Sequence, residues 1–320
     1  MSSAPLSPTA AAIPLRELLG EFEVFAAAHA VTLDHHHPTL VQTWNEITQA
    51  ATDLGILNTG ALLTKLPAVL AHLTGQKNVT GYPALAVRDQ LHLYRNTAIT
   101  VILAAAAMVG VDTRPVLACI PRLKQRSQSR DRPLTDDEIT LLRVLAAIRI
   151  ADLSTSQGAT VFALCDAGLT PTETTQVTGA DIDDSPECPL VQAAGHHQGL
   201  NARLLPLEEF HTAILAERMS QDPARRPRDT LSYCPRTNKP GSAAAAASVS
   251  GIMSRFMDAV QINEGDVSPA SPRAWRIRHT WFIEGPEAAT EKSGRDLDAT
   301  ARLADIRSEI AQDVTPVEAF

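Results

Sequence analysis

Aromatic residues are scarce in this chain. Phe, Trp and Tyr together make 4% of 320 residues, and the only tyrosines are Tyr82, Tyr94 and Tyr233. No tyrosine follows position 233, which excludes a tyrosyl nucleophile from the C-terminal quarter. Cysteine is limited to Cys119, Cys165, Cys188 and Cys234, far apart and without a Cys-x-x-Cys pair. That spacing excludes a disulfide frame and a zinc site and reads as reduced thiols of a cytosolic protein. No apolar run reaches the roughly 18 residues that span a bilayer. The longest, Ile99 to Val111, includes Thr100 and four consecutive alanines and reads as a buried helix. The start, Met1-Ser2-Ser3-Ala4-Pro5, lacks the basic segment of a secretory signal. Phosphate-cradling glycine loops and a GxSxG elbow are also missing. His35-His36-His37 cannot converge on one ion from a regular helix, and His196-His197 sits in a turn, so neither metal nor cofactor is expected.

What is present is a globular composition: 44% hydrophobic and 20% charged residues, long enough for two domains. The net charge of −8 disfavours bulk electrostatic binding of nucleic acid, but the charge is unevenly spread. Between residues 122 and 132 lie Arg122, Lys124, Arg126, Arg130 and Arg132 against one acid, Asp131. From Glu284 to Phe320 there are nine acids against four bases.

Residues 1–12, rich in Ser, Ala and Pro, form a leader. Residues 13–120 read as an all-helical domain. Leu15, Leu18, Leu19, Phe22 and Phe25 follow helical spacing, and further helices are predicted over 39–53, 60–74 and 85–110. Residues 121–132 form a basic linker. The second domain, 133–320, opens with Thr135 and Glu138 at capping-box spacing, followed by the stripe Ile139, Leu142, Val144, Leu145 and Ile148. A helix over 157–167 ends at Gly168, and another starts at Thr170, with Pro171 and Glu173 in the N1 and N3 places. Residues 189–192 and 202–207 read as short strands. Helices follow over 208–220, 242–260, 273–284 and 297–312. Arg225, Arg226 and Arg228 read as a surface loop.

Several landmarks in this second half resemble the tyrosine-recombinase (phage-integrase) family. Arg132-Pro133-Leu134-Thr135 is similar to the entry of its catalytic domain. Leu164 to Glu173, then Gly179-Ala180-Asp181-Ile182-Asp183, resembles its TGLRxSEL run and the DID that follows. Arg203-Leu204-Leu205-Pro206-Leu207 resembles the end of its lysine hairpin. Arg278-His279-Thr280 resembles its His-x-x-Arg-His-Thr run, and Leu303 to Pro316 keeps the spacing of its C-terminal end. The resemblance implies a fold that is mainly α with a small antiparallel β-sheet: a helical core-binding-like N-terminal domain and a recombinase-like mixed α/β C-terminal domain.

The resemblance also implies a chemistry. Such enzymes attack a phosphodiester with tyrosine, while arginines, a histidine or tryptophan and a lysine stabilise the charge. Carried over, the first arginine falls on Thr170, the lysine on Gln198, the histidine on Trp275, the second arginine on Arg278, the late histidine on Asp305 and the nucleophile on Val314. One position of six keeps its type. Residues that act as a unit lose nearly all rate when several are replaced, so strand cleavage is not expected. Ser308 or Thr315 as a relocated nucleophile lacks the reach of tyrosine.

The expectation is therefore a non-catalytic, cytoplasmic and nucleoid-associated protein that clamps double-stranded DNA as a regulator or architectural factor. Candidate DNA contacts are Arg278, Arg273, Arg276, the basic residues of 121–132, and Ser250, Ser254 and Arg255 on the helix after Gly241, where the family reads the major groove. Arg278 has a second reading, burial beside Asp305 or Glu284. Trp275 reads as core packing and His279 as structural. Self-association on DNA, helped by the terminal Phe320, is expected. The competing reading is an interaction module that modulates an active recombinase without touching DNA.

Overall fold

The computed structural model describes residues 13–33, 37–66, 68, 69, 72, 87–110, 112–118, 120, 132–195, 199–221, 229–232, 239–262 and 265–306. It is mainly helical with one small antiparallel sheet, as the sequence predicts. No helix among the described residues is long and apolar enough to cross a membrane. The chain divides into two compact units: 1–124 with 136–148 and 259–261, and 125–135 with 149–258 and 262–320.

The first unit holds α1 (Leu15–Ala28), α2 (His37–Asp53), α3 (Thr59–Thr64), α4 (Val87–Met108), α5 (Thr113–Ala118) and most of α6 (Asp136–Ile150). The stripe of α1 buries Leu15, Leu18, Phe22 and Ala26. Helices α1, α2 and α3 pack on α4, whose Ile99, Ile102 and Leu103 are fully buried. Asn58 caps α3 by accepting the Ala61 N–H at 2.9 Å. Helix α6 starts where predicted, with Asp136, Asp137 and Glu138 in its first turn, where the helix dipole favours acids.

The second unit is built around α7 (Ser156–Asp166), in which every residue from Ala159 to Asp166 is buried. Around α7 pack α9 (Glu209–Ser220), α10 (Ala243–Asp258) and α11 (Ser271–Ile283). Phe162 stacks on Phe256 at 5.5 Å and meets Phe210 edge-on at 6.3 Å. Gly158 permits that approach, since a Cβ there stands 2.8 Å from the Phe256 ring. A one-turn helix α8 (Pro171–Thr174) follows α7. The sheet runs β1 (Ile182–Asp183), β2 (Leu190–Ala193), β3 (Arg203–Pro206), with Val191 opposite both Ile182 and Leu205. Val191, Ala193 and Leu205 turn inward to Leu164, Leu169 and Leu215. Strand β1 is absent from the sequence reading, because two residues are too few to show a period of two.

Helices α12 (Pro286–Ser293) and α13 (Leu297–Leu303) complete the unit. The sequence reading has no helix at α12. Its signals are nevertheless ordinary: Gly285 at φ 99° ends α11, Pro286 takes N1, and Gly294 in the left-handed region closes it. Helix α13 is also shorter than the predicted 297–312. Asp305 turns at φ 53°, and the Ile306 N–H returns to the Ala301 carbonyl at 3.1 Å. That turn brings Ala304 and Ile306 into a core with Ile277 and Ala289.

Candidate functional site

The end of α7 is the point around which the second unit's polar groups gather. Gly168, at φ 114°, closes the helix: its N–H reaches the Cys165 carbonyl at 3.0 Å and the Leu169 N–H the Leu164 carbonyl at 3.1 Å. The last carbonyls of a helix carry the negative end of its dipole. Three guanidinium groups meet them. Arg273 Nε donates to the Gly168 carbonyl at 2.9 Å, Arg203 Nη2 to the same oxygen at 3.1 Å, and Arg276 Nε to the Asp166 carbonyl at 2.7 Å.

Thr170 begins α8 as the sequence predicts. Its N–H and hydroxyl donate to Glu173 Oε2 at 2.8 and 3.0 Å, and the Glu173 N–H donates to Thr170 Oγ1 at 3.2 Å. Glu173 is almost fully buried and takes a two-pronged pair from Arg203: Nη1 to Oε1 at 2.6 Å and Nη2 to Oε2 at 3.1 Å. Arg203 also ties in α12 through Nε to the Lys292 carbonyl at 2.7 Å. Burial pushes the Glu173 carboxyl up, but the Arg203 hydrogen bond and charge outweigh it and hold the group below its ordinary range. Arg273, buried and facing Arg203, is pulled down to about 10. The neighbouring Cys165 thiol is pushed by burial up to about 12, so it is an inert core residue.

A second cluster lies one turn along α11. His211 Nδ1 accepts the Glu208 N–H at 3.0 Å, which leaves Nε2 as the proton-bearing nitrogen, 3.1 Å from Asp166 Oδ2. Arg276 pairs with the other Asp166 oxygen at 3.4 Å and with Glu208. Burial opposes its charge, but Asp166 and Glu208 prevail and raise its pKa. Among these groups sequence reasoning singled out only Thr170, Glu173, Arg273 and Arg276. An aspartate in the last turn of an apolar helix, at the wrong end of the dipole, was the available signal that Asp166 has a buried cationic partner.

Arg273 and Arg276 therefore need correction as DNA contacts. They are 3% and 6% exposed, and their donors are directed at interior carbonyls and carboxylates, including Arg273 Nη2 on the Ser293 carbonyl at 2.7 Å. Their three-residue spacing puts both on the face of α11 that packs against α7, a consequence of helical period that a count of charges does not register.

The opposite side of α11 carries the other candidates. Trp275 is 8% exposed, stacks on His279 at 5.0 Å and lies 5.1 Å beneath the Arg276 guanidinium, in keeping with a packing role. Arg278 is half-buried. Its Nη1 donates to the Ala304 carbonyl at 3.1 Å and approaches the Asp305 carbonyl at 3.5 Å, and its guanidinium lies 5.2 Å above the Phe282 ring. Arg278 and Asp305 are thus brought together through the backbone, while Glu284 holds Lys292 at 2.6 Å.

On α10, Ser254 and Arg255 are exposed and Ser250 half-buried. The Ser254 hydroxyl donates to the Ser250 carbonyl at 3.0 Å, within its own helix. Arg132 is drawn inward: its N–H donates to the Asp266 carbonyl at 2.7 Å, and its Nε lies 3.3 Å from the buried Asp266 carboxylate. Arg122, Lys124, Arg126, Arg130, Gln198, Val314, His35, His36, His196, His197, Arg225, Arg226, Arg228 and Phe320 lie outside the described residues. Among the described residues no group of three His, Cys, Asp or Glu side chains is arranged to hold a metal ion.

No protein-family model matches this chain, and no curated protein matches it. Among solved structures it is similar to XerA recombinase, at 12% identity over 94% of this chain and 99% of that one, with a TM-score of 0.45. It is also similar to a lambda integrase dimer bound to a COC′ core site, at 15% identity over 93% and 79% of the two chains and a TM-score of 0.41. The Tn1549 transposon integrase in complex with a circular intermediate DNA is 12% identical over 91% of this chain and 99% of that one, with a TM-score of 0.41.

Proposed function

We propose that this chain is a tyrosine-recombinase-like protein that binds duplex DNA without cleaving it, as a regulator or an architectural factor. The observation that supports this most directly is the environment of Thr170. The place that the resemblance gives to the first catalytic arginine belongs to a threonine whose hydroxyl and N–H are both committed to Glu173. Glu173 is in turn paired with Arg203. A phosphorane needs donors aimed at the oxygens where charge develops, and a hydroxyl already spent on a carboxylate is not one of them. With Val314 as nucleophile position, no covalent step is available.

In this reading both units contact the duplex, and the basic residues Arg122, Lys124, Arg126 and Arg130 contact its phosphate backbone. Exposed Ser254 and Arg255 contact the duplex from α10. Arg278, the one retained member of the catalytic set, serves as a phosphate contact. Several copies bind side by side on one site, within the cytoplasm. The decisive experiment is a genome-wide binding map of the tagged protein, paired with salt-titrated anisotropy on the strongest site. Sharp peaks and an affinity falling by about one log–log unit per phosphate contacted support the reading. A flat salt response, or a covalent adduct on a nicked suicide duplex, sinks it.

One observation favours a second reading. Phe282 and Ile283 at the end of α11 are 57% and 72% exposed, beside an acidic C-terminal stretch. In this second reading the pair seats a protein partner. Capture of an active recombinase in the absence of DNA, with no enrichment in the binding map, would favour that reading.

A further inference from the structure

The polar groups at the start of α9 close on themselves as a ring. The Glu208 N–H donates to His211 Nδ1 at 3.0 Å, and His211 Nε2–H to Asp166 Oδ2 at 3.1 Å. The other Asp166 oxygen takes Arg276 Nη2 at 3.4 Å, and Arg276 Nη1 returns to the Glu208 carboxylate. Three elements of the second unit meet here: α7 through Asp166, the start of α9 through Glu208 and His211, and α11 through Arg276. The side chains of His211 and Asp166 are 0% exposed and that of Arg276 7%, whereas that of Glu208 is 45% exposed.

With a neutral imidazole the ring sets two carboxylates, Asp166 and Glu208, against one guanidinium, Arg276. The Cys165 thiol next to Asp166 on α7 adds no charge, because burial pushes it up to about 12. The surplus negative charge attracts a proton. Of the groups in the ring the imidazole takes it first, since its ordinary pKa is about 6.5 and that of a carboxylate about 4. A neutral imidazole has one nitrogen lone pair, here on Nδ1, and the Glu208 N–H occupies it. A proton on Nδ1 turns that acceptor into a donor and sets two donors face to face across the same 3.0 Å. Asp166 and Glu208 favour the imidazolium, and burial and Arg276 oppose it. The occupied lone pair ties the outcome to geometry: a bound proton and a closed first turn exclude each other.

We propose that the ring is a proton-operated clasp on the first turn of α9. Neutral His211 holds the turn closed. Protonation of His211 releases the Glu208 N–H and opens the joint between β3 and α9. The closed turn excludes the proton, so it is fully favoured above the ordinary imidazole pKa of about 6.5 and loses stability as pH falls below it. The clasp lies within the second unit and does not depend on the proposed function.

Hydrogen exchange on the full chain tests the clasp, at about pH 7.5 and about pH 5.5, either side of the ordinary imidazole value. After correction for intrinsic rates, the amides of 208–211 are expected to exchange about tenfold faster at the lower pH, with those of 159–166 unchanged. His211→Gln places at N3 a residue type that closes a capping box and does not titrate. In that variant the amides of 208–211 are expected to exchange alike at both pH values. Equal pH dependence in the two proteins, or an equal rise at 159–166, overturns the clasp. Nitrogen NMR on wild-type protein with labelled histidine gives the answer even if the variant does not fold, with His211 assigned through the Phe210 ring 5.5 Å away. The expected result is a bare Nδ1 at about pH 7.5, and two protonated nitrogens with a shifted Glu208 amide signal at about pH 5.5. A doubly protonated ring at the higher pH, a ring still neutral at the lower, or protonation without a response of the Glu208 amide overturns it.

Discussion

Arg203 and Glu173 face each other as a two-pronged buried pair, Nη1 to Oε1 at 2.6 Å and Nη2 to Oε2 at 3.1 Å, with side chains 5% and 0% exposed. The pair joins β3 to α8 and, through Gly168 and Lys292, to the ends of α7 and α12. Removing one partner leaves an uncompensated buried charge. Arg203→Met is expected to lower stability by about 3–5 kcal/mol in urea unfolding, and Arg203→Met with Glu173→Gln by less than the sum of the two single changes.

The same pair sets an acid limb. The folded Glu173 carboxyl titrates below its ordinary 4.5, whereas the unfolded one does not. Its contribution is therefore full above that ordinary value and is lost as pH falls through the lower folded value. Urea midpoints measured from neutral pH downward should drop more steeply below about pH 4.5 in the wild type than in Glu173→Gln. Parallel curves would show that Glu173 is not held low.

Gly158 sets the closeness of α7 and α10. Its missing Cβ leaves room for the Phe256 ring, which a methyl group would meet at 2.8 Å. Gly158→Ala gains helix propensity but overpacks the aromatic stack, and the overpacking wins: a net loss of about 1–2 kcal/mol is expected. Gly158→Ala with Phe256→Leu should recover part of the overpacking loss relative to Phe256→Leu alone. A stabilised Gly158→Ala would mean that the ring moves freely.

What the sequence made legible was local. The N-cap at Thr170 needs only residues 170, 171 and 173; the helix starts there as read, and the structure adds a capping box with Glu173. The α7 stop at Gly168 and the β2–β3 pairing were likewise written in short patterns. Helix α12 was readable from Pro286 and Gly294 but went unread, because its eight residues have no long apolar stripe. The charged interior was not local at all. Arg276 meets Asp166 across 110 residues of chain and His211 meets Asp166 across 45. Nothing within a helical window distinguishes such an arginine from one in solvent, so Arg273 and Arg276 were read as surface cations. The phase of α11 against α7 decides the matter, and that phase exists only once the helices have packed.

Thr170 offers a direct test of the capping reading. Thr170→Ala is expected to lose about 1 kcal/mol, and Thr170→Ser to lose little, in thermal or urea unfolding. Thr170→Arg restores the family residue type yet removes the cap and brings a cation beside Arg203 and Arg273. It should be at least as destabilising as the alanine change and form no covalent adduct with a nicked duplex. An adduct would show that the remaining groups still make up a cleaving site.

The arginines of α11 separate packing from binding most sharply. Arg276→Ala strips Asp166 of its guanidinium, so a loss of about 3–5 kcal/mol is expected, visible in the absence of DNA. Arg278→Ala removes a half-buried side chain that donates to the Ala304 carbonyl and lies over the Phe282 ring, and should cost about 1 kcal/mol. On DNA the ranking reverses. Arg278→Ala, still folded, should weaken binding and lower the salt slope by about one unit, as should Arg255→Ala on exposed α10. The two sites are on different helices, so their effects on slope should add. If Arg278→Ala leaves both affinity and slope unchanged while Arg255→Ala lowers them, α10 carries the contact and Arg278 serves only to hold the turn at Ala304 and Asp305.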